Sequence, residues 1–477
     1  MLRGSLSAAS AWLDRLLVER YPAEPAALFR IGGAVAVLAD LFATRALADL
    51  FWGTGPGRSV IDLGYALWAA VLVLLLIGWK TRWMAIFSYA LTFPLILNLN
   101  QIFEYHIDYF LRTWGFFLLF LDSGKVWSVD AWLARRKGGA ESSAGDRTVA
   151  KWVVVLFLFQ LSLDYFDSGV RKLLDEELWQ KGFGLYWPLV VRYGSSGFGR
   201  GLVNTGWLIW AMSHLVMLWE LAFPALVAWK RTRALAILAG VGLHIGIVAL
   251  LPISYFGEMM VTLYLLFLPW DRIRGWFSRS AMPPATVAAP AGPVPRQPLK
   301  RALVLTLVVF LLVAKLGHFD LTPWRFDRWT TIAARNLSSF VEHPVFMSFH
   351  FKHTGVLEVE VIHPDGRREL EPLLVTADGY PGTLSRASTR AWVYMLRVGF
   401  QNPRLSRYLV RWLDETRPEL CGARLYQRWV VPPPTVQGDV DVWTNAERTV
   451  LADVTFDRDP DLCGNGDTIR NTTRNER

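Results

Sequence analysis

The apolar residues of this 477-residue chain are gathered into blocks, and nothing else in the sequence restricts its fold as strongly. Each block has roughly the 17–25 residues that a helix needs to cross a ~30 Å hydrocarbon core. Nine are read, over 25–44, 60–79, 83–99, 107–124, 151–170, 203–228, 234–252, 254–271 and 301–317. They predict a mainly α, polytopic membrane helix bundle of about nine spans. The composition agrees: 53% of residues are hydrophobic, 19% are charged and the mean hydropathy is +0.27. Soluble chains carry about a quarter charged residues, so a wholly soluble protein is excluded. The 23 Trp, 28 Phe and 14 Tyr exclude a disordered one. The first span is the weakest, since it carries Arg30 and Asp40. Residues 1–24 have no apolar stretch of the signal-peptide kind and include Asp14, Glu19 and Glu24.

The net charge of +9 invites a nucleic-acid reading, and the positions of the charges oppose it. Counted over alternate connections, 20 Lys and Arg fall on one side of the bundle and 7 on the other. The rich side holds Arg15, Lys80, Lys125, Arg147, Lys230, Arg233 and Arg274 among others. This is the positive-inside pattern, and it predicts a cytoplasmic amino terminus and, with nine spans, an external carboxyl terminus. The basic residues form no stripe with interleaved aromatics, so no nucleic-acid partner is expected. Trp79, Trp83, Trp127, Trp152, Trp229 and Trp270 fall at span ends, where an indole suits the headgroup layer.

The expected division is a membrane domain of about eight spans over 1–276, a Pro-rich cytoplasmic linker over 277–300, a ninth helix over 301–317 and a small extracytoplasmic α+β domain over 318–477. In that last part, alternation through Val356–Ile362, a Pro364-Asp365-Gly366 turn and a return through Leu370–Val375 read as a hairpin. A helical stretch lies near 388–414, interrupted around Pro403, and strand-like runs lie near 424–431 and 447–455. Cys421 and Cys463 both fall here, and in an oxidising compartment they can pair.

Ionisable residues inside a span cost roughly 2.5–3.5 kcal/mol each on insertion scales, so each is a site candidate. On the fifth span Gln160, Asp164, Asp167 and Arg171 share one stripe, while Tyr165, Ser168 and Lys172 share the next. Asp167 and Arg171 have the spacing of an intrahelical pair. The Glu104-Tyr105-His106-Ile107-Asp108 connection and the far end of the fifth span are predicted on the same outer face. His214 and His244 reach a similar depth from spans six and seven, with Glu220 deeper. Each has a plainer reading: a snorkelling lysine, histidines bonded between helices, a structural ion-pair network. As a site, a lysine away from water can serve as a neutral-amine base. There is no Gly-rich nucleotide loop, no zinc-ligand spacing and no Gly-x-Ser-x-Gly elbow, and no metal is expected.

Gln160-Leu161, Tyr165-Phe166, Gly169-Val170-Arg171-Lys172-Leu173 and Trp179, with Trp127-Ser128-Val129-Asp130 upstream, resemble the vitamin K-dependent gamma-glutamyl carboxylase and its bacterial relatives with an HTTM (horizontally transferred transmembrane) domain. The resemblance covers roughly residues 20–275. It implies that Lys172 is the base toward a reduced naphthoquinone (vitamin K hydroquinone or menaquinol), with O2 and CO2 as co-substrates. The quinol leaves as an epoxide and a glutamyl side chain is carboxylated. It further implies that His106 is functional, that the partners are the lipid bilayer, a membrane quinone and a peptide or protein substrate, and that the location is a bacterial inner membrane. Arg171, Tyr165, His214, His244, Asp164 and Asp167 are candidate substrate-binding residues around this base. The sequence departs from the family in having Arg171 where the carboxylase has the first of two lysines, and Asp167 where it has an apolar residue. Residues 318–477 show no match to the carboxylase's larger lumenal region. The competing reading is a non-catalytic HTTM protein that binds lipid or quinone or docks an envelope partner. A transporter is weaker still, because no inverted repeat is visible.

Overall fold

The computed structural model describes residues 2–46, 57–100, 106–138, 147–174, 177–186, 189, 205–250, 255–277, 297–318, 354–371, 403–430, 448–458 and 460–463. Helices dominate. In chain order they are α1 (Leu2–Val18), α2 (Ala23–Ala46), α3 (Arg58–Ile77), α4 (Thr81–Asn100), α5 (His106–Leu118), α6 (Val129–Gly138), α7 (Lys151–Leu174), α8 (Glu177–Gln180), α9 (Gly206–Ala228), α10 (Arg233–Leu250), α11 (Phe256–Leu265), α12 (Trp270–Phe277) and α13 (Pro298–His318). Among the described residues five helices are long and apolar enough to cross a membrane: Ala23–Arg45, Arg58–Ile77, Lys151–Leu174, Gly206–Ala228 and Arg233–Leu250. This is an integral membrane protein.

Two predicted spans are shorter than the sequence pattern suggests. The fourth, expected over 107–124, is helical only to Leu118, 13 residues, or about 20 Å at 1.5 Å per residue. It carries the fully buried Asp108 and Arg112, and the chain turns through Leu119–Leu121 ahead of Asp122, Ser123 and Gly124. The eighth, expected over 254–271, is a ten-residue helix that stops at Leu265, ahead of Pro269. The third and ninth expected spans coincide with the helices α4 and α13; of the linker expected over 277–300, Phe277 ends α12, Pro298 already begins α13, and 278–296 lie outside the described residues.

One end of the bundle is tied together by polar contacts. Arg30, fully buried on α2, donates from Nη1 to the Ser123 carbonyl at 2.7 Å and from Nη2 to the Trp127 carbonyl at 2.6 Å. Asp130 accepts from the main-chain N–H of Lys80 at 2.8 Å and of Thr81 at 2.7 Å, and from the Thr81 hydroxyl at 2.7 Å, which caps the start of α4. Its own N–H donates to Gly78 O at 3.0 Å. Gly78 has φ +72°, and a Cβ there would stand 2.4 Å from Ser128 Cβ, so both conformation and space require glycine. Buried Glu24 accepts from Arg147 at 2.8 Å and from Arg274 at 2.5 Å. The short strands β1 (Arg20–Pro22) and β2 (Thr148–Ala150) pair antiparallel beside them. Connections rich in Lys and Arg therefore meet at one end.

Beyond the helices of the bundle, β3 (Thr354–Ile362), β4 (Arg368–Leu370), β5 (Gly422–Val430) and β6 (Arg448–Thr455) form an antiparallel sheet in the order β4-β3-β5-β6. The β3–β4 hairpin turns at Gly366, φ +78°. The return strand is described only to Leu370, and 372–375 lie outside the described residues. The predicted 388–414 helix is described from Pro403, as α14 (Pro403–Thr416), with 388–402 likewise outside. Cys421 is bonded to Cys463, with Cα atoms 5.6 Å apart.

Replacing Asp130 with Ala leaves two main-chain N–H groups at the start of α4 without their acceptor. A stability loss of about 1–2 kcal/mol is expected, read as a lowered unfolding temperature in detergent, with Asp130→Asn recovering part of it.

Candidate functional site in the helix bundle

The centre of the bundle is the crossing of α7 and α9. Gly169 on α7 lets α9 come close, because a Cβ there would lie 2.9 Å from the main-chain nitrogen of Leu221. The residue beside Leu221 is Glu220, and one turn beyond Gly169 is Lys172. Lys172 Nζ donates to both Glu220 carboxylate oxygens, at 2.6 and 2.7 Å, and to Ser168 Oγ at 3.0 Å. Its charge also lies 4.5 Å from the centroid of the Trp179 ring, where the negative face of the indole attracts a cation. Lys172 is 1% exposed and Glu220 6%. These values reject the snorkelling lysine, whose head would reach water.

The pair stands in the wall of a cavity of about 390 Å³ between α7, α9, α10 and α11. The wall is mostly apolar, with Leu161, Leu189, Val216, Leu243, Phe256 and Met260 prominent. Leu215 is 69% exposed and belongs to it, so the cavity reaches the lipid-facing surface. At Gly242 and Gly246, also in the wall, no atom lies within 4 Å of where a Cβ would be.

A second polar group crosses the same space. Tyr264 donates its hydroxyl to Tyr165 Oη at 2.9 Å, and Tyr165 Oη lies 2.6 Å from His244 Nε2. With Tyr165 accepting from Tyr264, its own proton goes to Nε2, and this assignment leaves the imidazole proton on Nδ1. His244 Nδ1 and Trp219 Nε1 are buried without a hydrogen-bond partner among the described residues, and both side chains line the cavity. An unsatisfied buried donor costs about 1–3 kcal/mol, which an oxygen-bearing ligand would relieve.

The predicted residues divide. Lys172, Tyr165, His244 and Asp164 line the cavity. Asp167 is paired with Arg171 on α7 at 3.1 Å, at the spacing the sequence predicts, and neither lines the cavity. His214 is not a wall residue: its Nδ1 lies 2.9 Å from Trp210 O one turn back, and its ring packs against the turn at Gly182. His106 begins α5, and its side chain lies outside the described residues, as do Glu104 and Tyr105. Glu220, the one acidic residue of α9, is the residue that sequence reasoning placed deeper than the site and left out of it. Its depth relative to Lys172 depends on the two helices packing antiparallel at Gly169.

Residues 52–271 match the family model of the HTTM domain. The chain carries an HTTM domain. No curated protein and no solved structure matches it. The HTTM match begins after α2 and contains α7, α9, α10 and α11, so the cavity and its polar groups lie inside it.

Removing one member of a buried ion pair strands the other and costs about 3–5 kcal/mol, whereas replacing both is often neutral. Lys172→Met alone is therefore expected to lower the unfolding temperature of the detergent-solubilised protein strongly. The double variant Lys172→Met with Glu220→Gln is expected to recover most of the loss.

Proposed function

We propose that the protein is an integral-membrane enzyme of the carboxylase type, in which Lys172 is the base toward a reduced naphthoquinone, vitamin K hydroquinone or menaquinol. The observation that carries this reading is a buried amine, held by a carboxylate, in the wall of an apolar cavity that opens toward lipid. Buried ion pairs are weak stabilisers, so the presence of this one in the membrane argues for a use of the amine. The cavity suits the group: its volume falls in the roughly 300–1,000 Å³ range of small-molecule sites, and its wall residues His244 and Trp219 carry the unpartnered N–H groups that can hold a ligand oxygen. When bound, a reduced naphthoquinone with O2 supplies the strong base that removes a substrate proton before CO2 is captured.

The chain's own residues have distinct parts in this reading. Lys172 becomes a base when its proton passes along the 2.6 Å hydrogen bond to Glu220. Ser168 and Trp179 hold the amine in place. Tyr165, with Tyr264 and His244, is a chain of hydroxyl and imidazole groups able to bind or move a proton at the opposite wall. His106 is assigned an orienting role at the start of α5, and Arg171 and Asp167 support the outer end of α7. The protein is placed in a bacterial inner membrane, with its amino terminus cytoplasmic, its sheet region outside, and a peptide or protein as the polar substrate.

Purified protein in vesicles, given menaquinol or vitamin K hydroquinone with O2 and bicarbonate, is expected to form quinone epoxide. The folded double variant Lys172→Met with Glu220→Gln is expected to form none. Mass spectrometry of co-expressed neighbouring proteins should show a gain of one CO2 that depends on Lys172. Wild-type protein that forms no epoxide with any quinol, glutamyl peptide present or absent, overturns the proposal.

Lateral arrival of the quinol can be tested separately. Gly242→Leu places a side chain in open space at the cavity mouth, so the unfolding temperature is expected to hold while kcat/KM for the quinol falls about tenfold, equivalent to ~1.4 kcal/mol. An unchanged kcat/KM would place the route elsewhere.

A further inference from the structure

The opposite end of the α7–α9 crossing carries a second, chemically different site. A groove of about 850 Å³ lies between α1, the first two-thirds of α7 and the end of α9. Its wall is apolar, formed by Val155, Leu158, Leu163 and Phe166 of α7 with Pro224 and Val227 of α9. Four cations, Arg15, Lys151, Lys230 and Arg233, also line it, together with one acid, Glu19.

Those cations are not equally available. Lys151 is held by Glu19 at 2.6 Å, so the single acid is already used. Arg233 donates from Nε to Val227 O at 2.7 Å and from Nη2 to Ala228 O at 3.4 Å, which satisfies part of its fork and leaves its charge uncompensated. Arg15 and Lys230 are exposed and have no acidic partner among the described residues. Lys151 and Arg233 are the first residues of α7 and α10, so the charges stand at helix ends, where a membrane presents its headgroups. Trp12, 59% exposed, stands in the same wall, as an indole does in that layer.

An apolar trough that ends in uncompensated cations has the chemistry of an anionic amphiphile. A zwitterionic lipid brings its own cation to the same place and leaves Arg15 and Lys230 without a counter-charge. Basic pockets between spans on the positively charged side recognise acidic headgroups at about 1 kcal/mol per Lys or Arg. We propose that this groove is a binding site for an anionic phospholipid, its phosphate at Arg15 and Lys230 and an acyl chain along Leu158, Leu163, Phe166 and Pro224. This inference is independent of the quinol reading, since it shares no residue with the Lys172 cavity.

The test is native mass spectrometry of the full chain in detergent, titrated separately with phosphatidylglycerol and phosphatidylcholine. Wild-type protein is expected to retain one phosphatidylglycerol in clear preference to phosphatidylcholine. Arg15→Ala with Lys230→Ala should weaken that binding about thirty-fold while the lipid-free protein keeps its unfolding temperature and monodispersity. Lys80→Ala with Arg82→Ala, basic residues outside the groove, should leave it unchanged. Should the first pair misfold, Leu163→Trp, which fills the trough without altering its charge, is expected to weaken phosphatidylglycerol binding in its place. Equal retention of the two lipids, equal losses in the groove and control variants, or displacement of phosphatidylglycerol by menaquinone would each overturn the proposal.

Discussion

The bundle depends on the close approach of two helices at Gly169, because that contact decides whether a buried lysine meets a buried carboxylate. Any side chain larger than hydrogen would meet the main chain at Leu221 and move α9 outward. Glu220 would then leave Lys172, and two charges without partners in a medium of low dielectric would cost far more than the packing lost. The ion pair and the packing of α7 on α9 are therefore one feature. Leu161, Asp164, Tyr165, Ser168 and Lys172 occupy one side of α7 at helical spacing, so the polar groups of the site and its apolar wall arise from a single stripe.

The other end of the bundle meets a related problem with neutral partners. Arg30 is as deeply buried as Lys172, yet its guanidinium is directed to the carbonyls of Ser123 and Trp127. Carbonyl groups accept the hydrogen bonds of a guanidinium but are too weakly basic to take its proton. Glu220 can take a proton, and this chemical difference separates a structural buried cation from one able to serve as a base. The Trp127-Ser128-Val129-Asp130 motif belongs to the structural kind: Ser128 accepts from Ala131 N–H at the start of α6 and Asp130 caps α4, so the motif fixes a turn.

Much of this was legible in the sequence because hydrophobic blocks and helical stripes are local. The five long apolar helices, the Asp167–Arg171 pair, the Lys172–Ser168 contact and the hairpin at Gly366 each follow from spacings of a few residues. The lengths of α5 and α11 were not legible, since apolar residues continue past the point where each helix stops, and Asp108 and Arg112 are buried inside the bundle rather than exposed at a span end. Glu220 was hidden for a different reason. Its role depends on the antiparallel register of α9 against α7, and a stripe on one helix carries no information about depth on another. His214 shows the reverse error: it has the right depth and the wrong face, and its ring is spent on Trp210 and the Gly182 turn.

The two cavities make the charge pattern of the chain intelligible in finer terms than orientation. At the end where Lys and Arg gather, several cations are paired with acids: Arg147 and Arg274 with Glu24, Lys151 with Glu19 and Arg301 with Asp14 at 3.5 Å. Among the described residues, Arg15, Lys230 and Arg233 are unpaired cations that stand together around one apolar groove. At the far end a buried amine is answered by a buried carboxylate in the wall of an apolar cavity. On the two proposals, an amphiphile with an acidic head belongs to the first end, and a neutral ring with polar oxygens to the second. One pair of helices would then hold two kinds of membrane-soluble molecule, distinguished by where their polarity lies.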